Sequence, residues 1–182
     1  GRNEVAEQQA RAAIDILAGS GSVELARAYG HQTALEMLYS HVEKNHHKVD
    51  HLLRLRGLQD EHGGFNAFIP LAYHPENNYL GLKYHTTGLD DLRHIATARL
   101  VLDNIPHVKA YWVMVTPKLA QVALSFGADD LDGTVVRETI YHMAGAETAQ
   151  MMPTSELERV VRAAGFTPVE RDTLYNQIER AN

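Results

Sequence analysis

Thr33-Ala-Leu-Glu-Met-Leu-Tyr39, then Lys48 to His62 closed by Gly63-Gly64, then Ala67-Phe-Ile-Pro-Leu-Ala72: these three pieces decide the fold. The first and third are apolar runs of strand length. The piece between them carries Val49, Leu52, Leu53, Leu55 and Leu58 on a helical pattern. Strand, amphipathic helix, glycine stop and strand make one βα unit, and the unit recurs. Leu89 to Asn104 predicts a helix, with Asp90 and Asp91 in its first turn, where the macrodipole favours acids. Ala110 to Val115 predicts a third strand, Pro117 to Phe126 a helix opened by proline, and Leu131 to Val135 a short fourth strand. Ser155 to Ala164 predicts a helix capped by Thr154 or Ser155 and stopped at Gly165. Pro168 to Asp172 reads as a short extended piece, and Leu174 to Arg180 as a last helical turn or two. Strands alternating with helices indicate an α/β chain with a parallel sheet. Four βα units are half of a (β/α)8 TIM-type barrel. The structural runner-up, a doubly wound open sheet, normally carries a glycine-rich phosphate loop after its first strand, and this sequence has none.

The first thirty residues stand apart. Asn3 to Ala18 has helical spacing and a stop at Gly19, and Gly19-Ser-Gly-Ser22 reads either as a flexible or engineered joint or as a natural turn with Ser22 capping the next helix. Val23 to Tyr29 predicts a short helix ending at Gly30. The expected division is therefore an N-terminal helical segment over 1–30 and the half-barrel over 31–182. The chain opens Gly1-Arg2 without Met, as a trimmed tag or an excised piece would.

The 182 residues suffice for one domain with a real core or for part of a larger one. Apolar residues make up 45% and charged residues 22%, ordinary for a globular protein, and the formal net charge is −6. An acidic balance argues against nucleic acid or an anionic membrane as partner, since each favours a basic face. No apolar run reaches bilayer length and no signal-peptide pattern opens the chain, so a cytoplasmic location is the expectation. There is no cysteine, which excludes disulfides.

Chemistry in a parallel barrel sits in the loops after the strands. The first such loop holds Glu43, either a ligand-binding acid or a helix-start carboxylate. The second, Tyr73-His-Pro-Glu-Asn77, offers His74 and Glu76 as a titratable pair and Asn77 as an amide able to read a base or a carboxylate; Pro and Asn also suit a plain turn. The third holds Thr116, where a hydroxyl and the next helix start could hold an anion or simply form a cap. The fourth holds Asp132 beside Gly133, a hydrogen-bond acceptor toward the barrel mouth or a turn residue. Tyr141-His-Met-Ala-Gly145 reads as a loop able to close over a site. Among the eleven histidines, His47 and His51 lie four apart on one helix face and form a weak candidate for zinc or nickel, with a solvated face as the alternative. No nucleophile elbow or phosphate loop is present.

Several blocks are particular enough to carry a resemblance: Phe68-Ile-Pro-Leu-Ala-Tyr-His-Pro-Glu-Asn77, Thr87-Gly-Leu-Asp-Asp-Leu-Arg93, Leu102-Asp-Asn-Ile105, Lys109-Ala-Tyr-Trp-Val-Met114, Gly127-Ala-Asp-Asp-Leu-Asp-Gly-Thr-Val135, Tyr141-His-Met-Ala-Gly-Ala146 and Glu170-Arg-Asp-Thr-Leu-Tyr-Asn176. In this order the sequence resembles the C-terminal half of aminofutalosine synthase, a radical S-adenosylmethionine (SAM) enzyme of the futalosine route to menaquinone. It looks less like the cyclic dehypoxanthine futalosine synthase and the F420-type synthase subunits. The resemblance implies strands five to eight of a radical SAM barrel, with Glu43, His74, Glu76, Asn77, Thr116 and Asp132 as substrate- or SAM-binding residues on one rim. It implies a transferase that adds a SAM-derived adenosyl radical to an enol-ether benzoate. SAM and a [4Fe–4S] cluster are implied for the complete enzyme. Family members typically read Gly-His-Val-Glu where this chain has Ser40-His-Val-Glu43, which puts close backbone approach of a nucleoside in doubt. The cluster needs three thiolates, so the isolated chain is expected not to cleave SAM and to bind neither cofactor alone.

Two further readings stand beside this one: an engineered or stand-alone non-catalytic half-barrel that self-associates, and an adventitious His-rich metal binder. A half-barrel leaves two sheet edges bare, and such edges are pairing templates. The expected partner is a second copy, in a homodimer through Thr33–Tyr39 and Leu131–Val135, or a missing N-terminal half-barrel.

Overall fold

The computed structural model describes residues 33–40, 42–76, 85–135, 143, 149 and 151–179. The N-terminal segment 1–30, Asn77 and most of the 141–146 loop lie outside these residues. In chain order the elements are strand β1 (Thr33–Tyr39), helix α1 (Asn45–His62), strand β2 (Phe65–Ala72), helix α2 (Gly88–Val101), strand β3 (His107–Val108), helices α3 (Trp112–Val115) and α4 (Pro117–Ala123), a 3₁₀ turn (Leu124–Phe126) and helix α5 (Thr154–Ala163). The three strands form one parallel sheet in the order β1-β2-β3. The α/β class and the parallel sheet are as the sequence predicts.

β1 and β2 run in register from Ala34↔Ala67 to Tyr39↔Ala72 after an irregularity at Thr33. A parallel pair needs a long crossover, and α1 supplies it. Of its apolar residues, Leu52 and Leu55 are buried, while Val49 and Leu53 are largely exposed. The glycine stop is real: Gly63 and Gly64 both take positive φ. α2 begins with a capping box, in which Thr87 Oγ1 accepts from the Asp90 amide and Asp90 returns an acceptor to the Thr87 amide. Its core stripe continues through Ile95 and Ala98 to Leu102, all at 0% exposure. These side chains pack with Phe68, Val108, Trp112 and Val113 in one hydrophobic core.

Beyond β2 the expected strands are corrected. Ala110–Val115 does not form the third strand: β3 is only His107–Val108, and Trp112–Val115 is a helical turn. A short apolar run fits a buried helix as well as a strand, and periodicity alone does not separate them. Here Trp112 decides, because its buried indole donates to the Gly133 carbonyl at 2.8 Å and turns the chain inward. Leu131–Val135 is not a strand either. The sheet continues as a single parallel bridge, Lys109↔Asp130, with the Ala110 amide donating to the Asp130 carbonyl at 2.8 Å. It ends there because Asp132 and Gly133 both adopt left-handed φ, which no extended strand tolerates. Leu174–Arg180 is not helical over its described residues; Arg171 and Gln177 form an antiparallel bridge instead.

The 3₁₀ turn is closed by Gly127 at φ 103. Arg99 crosses over it, donating to the Gly127 carbonyl at 2.7 Å, the Pro106 carbonyl at 3.0 Å and the Asp129 carboxylate at 2.7 Å. A Cβ at Gly127 would sit 2.8 Å from Arg99 Cβ and Cγ. Gly127→Ala therefore combines left-handed strain with a clash against the root of the bracing side chain. Its expected cost is about 2 kcal/mol, measured as a shift in the urea midpoint.

Candidate functional site

The described post-strand residues follow the carboxyl ends of the parallel strands, and three of those turns are held in backbone conformations unfavourable to side chains. Ser40 (φ 68) follows β1, Thr116 (φ 73) follows α3, and Asp132 (φ 76) follows the Asp130 bridge. Non-glycine residues pay for such conformations, and they concentrate where function needs a fixed turn. The serine at position 40 thus occupies a conformation that glycine would adopt without strain.

Glu43 is turned inward upon its own loop. Its carboxylate accepts from the Ser40 amide and, at 3.2 Å, from the Val42 amide, and lies 3.7 Å from Lys48 Nζ. Lys48 also donates to Ser40 Oγ at 2.8 Å. The acid is committed to holding this turn. The weak metal candidate lies in the first turns of α1. His47 Nδ1 accepts from the Lys44 amide at 3.2 Å as part of the α1 start, and burial, reinforced by Arg54, holds His51 below its ordinary pKa. Among the described residues no three His, Asp or Glu side chains are placed to hold a metal ion.

After β2, Glu76 receives two imidazoles. His74 Nδ1 lies 2.7 Å from Oε2 and His85 Nε2 lies 2.7 Å from Oε1. Desolvation would raise the Glu76 carboxyl; its own backbone amide and His85, with the His74 charge, reverse this and hold it below the ordinary range. His74 and His85 line a cavity of about 520 Å³ at the carboxyl end of β2. Ala72, Tyr73 and, at the start of α2, Gly88 and Asp91 also line it, as do Met114, Thr116, Lys118, Leu119 and Val122. Of the residues expected to act together, His74 and Thr116 share this cavity. Glu43 and Asp132 do not line it. Thr116 serves as the α4 cap, its hydroxyl accepting from the Leu119 amide at 3.4 Å.

Asp132 belongs to a different cluster. It pairs with Lys109, and Arg171 stands 3.9 Å away. Beside it, the almost fully buried Asp130 carboxylate accepts from Arg171 Nε at 3.0 Å, from the Tyr175 hydroxyl and, at 2.7 Å, from the Asp132 amide. Tyr175 stacks flat on His107, with 3.7 Å between ring centroids, and His107 bonds Asp129 at 2.7 Å. This cluster fastens residues 171–178 to the end of the sheet.

Sequence reasoning missed the cavity's most perturbed acid. Asp91 is 5% exposed and accepts from the Tyr39 hydroxyl at 2.6 Å, with Thr86 as a second donor. Desolvation raises its carboxyl above the ordinary range; the two hydroxyls oppose this, Asp90 adds to it and Lys48 reduces it. His94 lies one turn along the helix, 4.2 Å from the Tyr39 ring, and burial lowers its pKa to about 4. The signal was present in the spacing. Asp91, Ile95, Ala98 and Leu102 fall on one helical stripe, so a carboxylate occupies a core position.

The cluster implied for the family enzyme finds no ligands here, because the chain has no cysteine. Among the described residues no helix is long and apolar enough to cross a membrane.

The chain is similar to aminodeoxyfutalosine synthase of Thermus thermophilus, with 52% identity over 84% of this chain and 42% of the relative. It is 44% identical to aminodeoxyfutalosine synthase of Streptomyces coelicolor over 83% of this chain and 42% of that protein. A 5-amino-6-(D-ribitylamino)uracil–L-tyrosine 4-hydroxyphenyl transferase of Methanococcoides burtonii is 40% identical over 86% of this chain and 46% of its own length. The chain therefore spans less than half the length of these relatives. The family described as the CofH/MqnC C-terminal region matches residues 62–182. On this match and on these identities, the chain belongs to the CofH/MqnC C-terminal region family.

Proposed function

We propose that this chain is the substrate-holding, C-terminal half-barrel of an aminodeoxyfutalosine synthase. Such an enzyme joins a SAM-derived adenosyl radical to an enol-ether benzoate on the way to menaquinone. The observation that carries the reading is the 52% identity to the Thermus thermophilus enzyme, next to a mixed polar and apolar cavity at the strand ends. That identity does not favour the alternative, an engineered or stand-alone non-catalytic half-barrel that self-associates. The radical chemistry belongs to SAM and the cluster, whose thiolates must come from outside this sequence, so no step of it is assigned to these residues. Their part is binding and orientation. The Glu76-bridged imidazoles and Lys118 offer donors to a carboxylate, while Met114, Leu119 and Val122 offer an apolar wall.

β1 is an edge strand of the described sheet, and a bare edge invites pairing. A homodimer would need a second edge at Leu131–Val135, which is not extended. We therefore infer that β1 is closed by the other half of a longer barrel, the portion the relatives carry beyond the matched share.

A chimera tests this reading: residues 33–182 replace the corresponding part of the Thermus thermophilus enzyme. The expected result is that the reconstituted chimera converts SAM and the enol-ether benzoate to the adenosyl adduct, while the isolated chain releases no 5′-deoxyadenosine. A chimera that holds the cluster and cleaves SAM but forms no adduct would refute the assignment.

A further inference from the structure

We propose that Asp91 is a ligand-binding anion of the cavity, held by the Tyr39 hydroxyl to receive a cationic ammonium or amidinium group. The inference rests on the cavity being the ligand site, and it names one chemical group that the site takes.

Asp91 is almost wholly removed from water and lines the cavity. Its partners are hydroxyls, Tyr39 at 2.6 Å and Thr86. Among the described residues no Lys, Arg or His forms an ion pair with it. A buried carboxylate held by neutral donors alone is incompletely compensated, and a cation entering the cavity would complete it. The charged groups that act on it are Asp90 on the same helix and Lys48 from α1, whose ammonium lies over the Tyr39 ring at 5.1 Å from its centroid, and Lys118, His74 and His85 line the same cavity. His94 is held neutral near pH 7 by burial. Tyr39, fully buried at the end of β1, is a positioning residue: its hydroxyl fixes the carboxylate. Met114, Leu119 and Val122 in the same cavity give the cation's body an apolar surface.

The probe is benzamidine, compared with benzyl alcohol and benzoate, titrated into the full chain and followed by the methyl NMR signals of Met114 and Leu119. The expected result is benzamidine binding at least ten-fold tighter than neutral benzyl alcohol, reduced at least ten-fold in Asp91→Asn with the near-ultraviolet circular dichroism unchanged, while benzoate, held by the imidazoles and Lys118, does not weaken in Asp91→Asn. Affinity should fall as pH drops through the Asp91 titration. Tyr39→Phe removes a donor that favours the ionised form, so the midpoint should move to higher pH. Benzamidine binding that moves these methyls equally in wild type and Asp91→Asn would overturn the role of Asp91 and leave the cavity reading standing. An unmoved midpoint in Tyr39→Phe would overturn the role of Tyr39. If none of the three compounds moves either methyl, both this inference and the cavity reading fail.

Discussion

Asp130→Ala should destabilise the chain by about 3–5 kcal/mol, the range expected when one partner of a buried ion pair is removed. The carboxylate is 8% exposed and gathers two guanidinium nitrogens of Arg171, the Tyr175 hydroxyl and the Asp132 amide. Without it, a cation that is itself only 24% exposed is left with the more distant Asp132 carboxylate, at 3.9 Å. Asp130→Asn keeps the shape and one acceptor and should cost less. The check is the denaturant midpoint of each variant, with Arg171→Ala as the third corner of a cycle. The acid limb follows from the same contacts. Desolvation alone would raise the Asp130 carboxyl, but Tyr175, the Asp132 amide, Arg171 and Lys109 together hold it below the ordinary value of 3.8. Its stabilisation is complete above that unfolded value and is lost as pH falls through the lower folded one. Loss from this site between pH 4 and pH 6 would contradict the assignment.

His94 acts in a higher window. It is 4% exposed, and its Nε2 has no hydrogen-bond partner among the described residues. Desolvation first, then the charge of Lys48, lowers its pKa from 6.5 to about 4, with Glu43 opposing. The unfolded chain therefore binds this proton more readily than the folded one. Stability is fully present above pH 6.5 and falls as pH drops from 6.5 toward 4, by about 3 kcal/mol in all. His94→Leu, close in volume and without a titrating ring, should flatten the stability profile across that window. An unchanged slope in the variant would assign the loss to other groups. The two windows do not overlap, so one pH series separates them.

The first βα unit and the parallel sheet were legible because β1, α1 and β2 have clean lengths and glycine stops. The Thr87 block was legible as a helix start, though Asp90 and Asp91 read alike. One caps the helix and the other falls on the buried stripe with Ile95, Ala98 and Leu102, where it packs against Tyr39. The third and fourth strands were misread for a common reason. Ala110–Val115 and Leu131–Val135 are apolar enough to be strands, but the Trp112 indole bond to Gly133 and the left-handed pair Asp132–Gly133 end the extended backbone early. Thr116 reads in the sequence as an anion site or a cap, and its hydroxyl caps α4. Glu43 accepts from two backbone amides of its own turn, a local role that sequence spacing does not reveal.

The sheet order repeats the chain order: β1 beside β2, β2 beside β3, then the Asp130 bridge. During synthesis, each strand that leaves the ribosome meets an acceptor already made, so assembly can proceed in step with translation. The exception is Asp130, whose guanidinium arrives 41 residues later and whose tyrosine arrives 45 residues later. A nascent chain paused before those points has only Lys109 and the Asp132 amide to compensate the carboxylate at the growing end of its sheet. That interval is when a chaperone or a protease would find the molecule least closed.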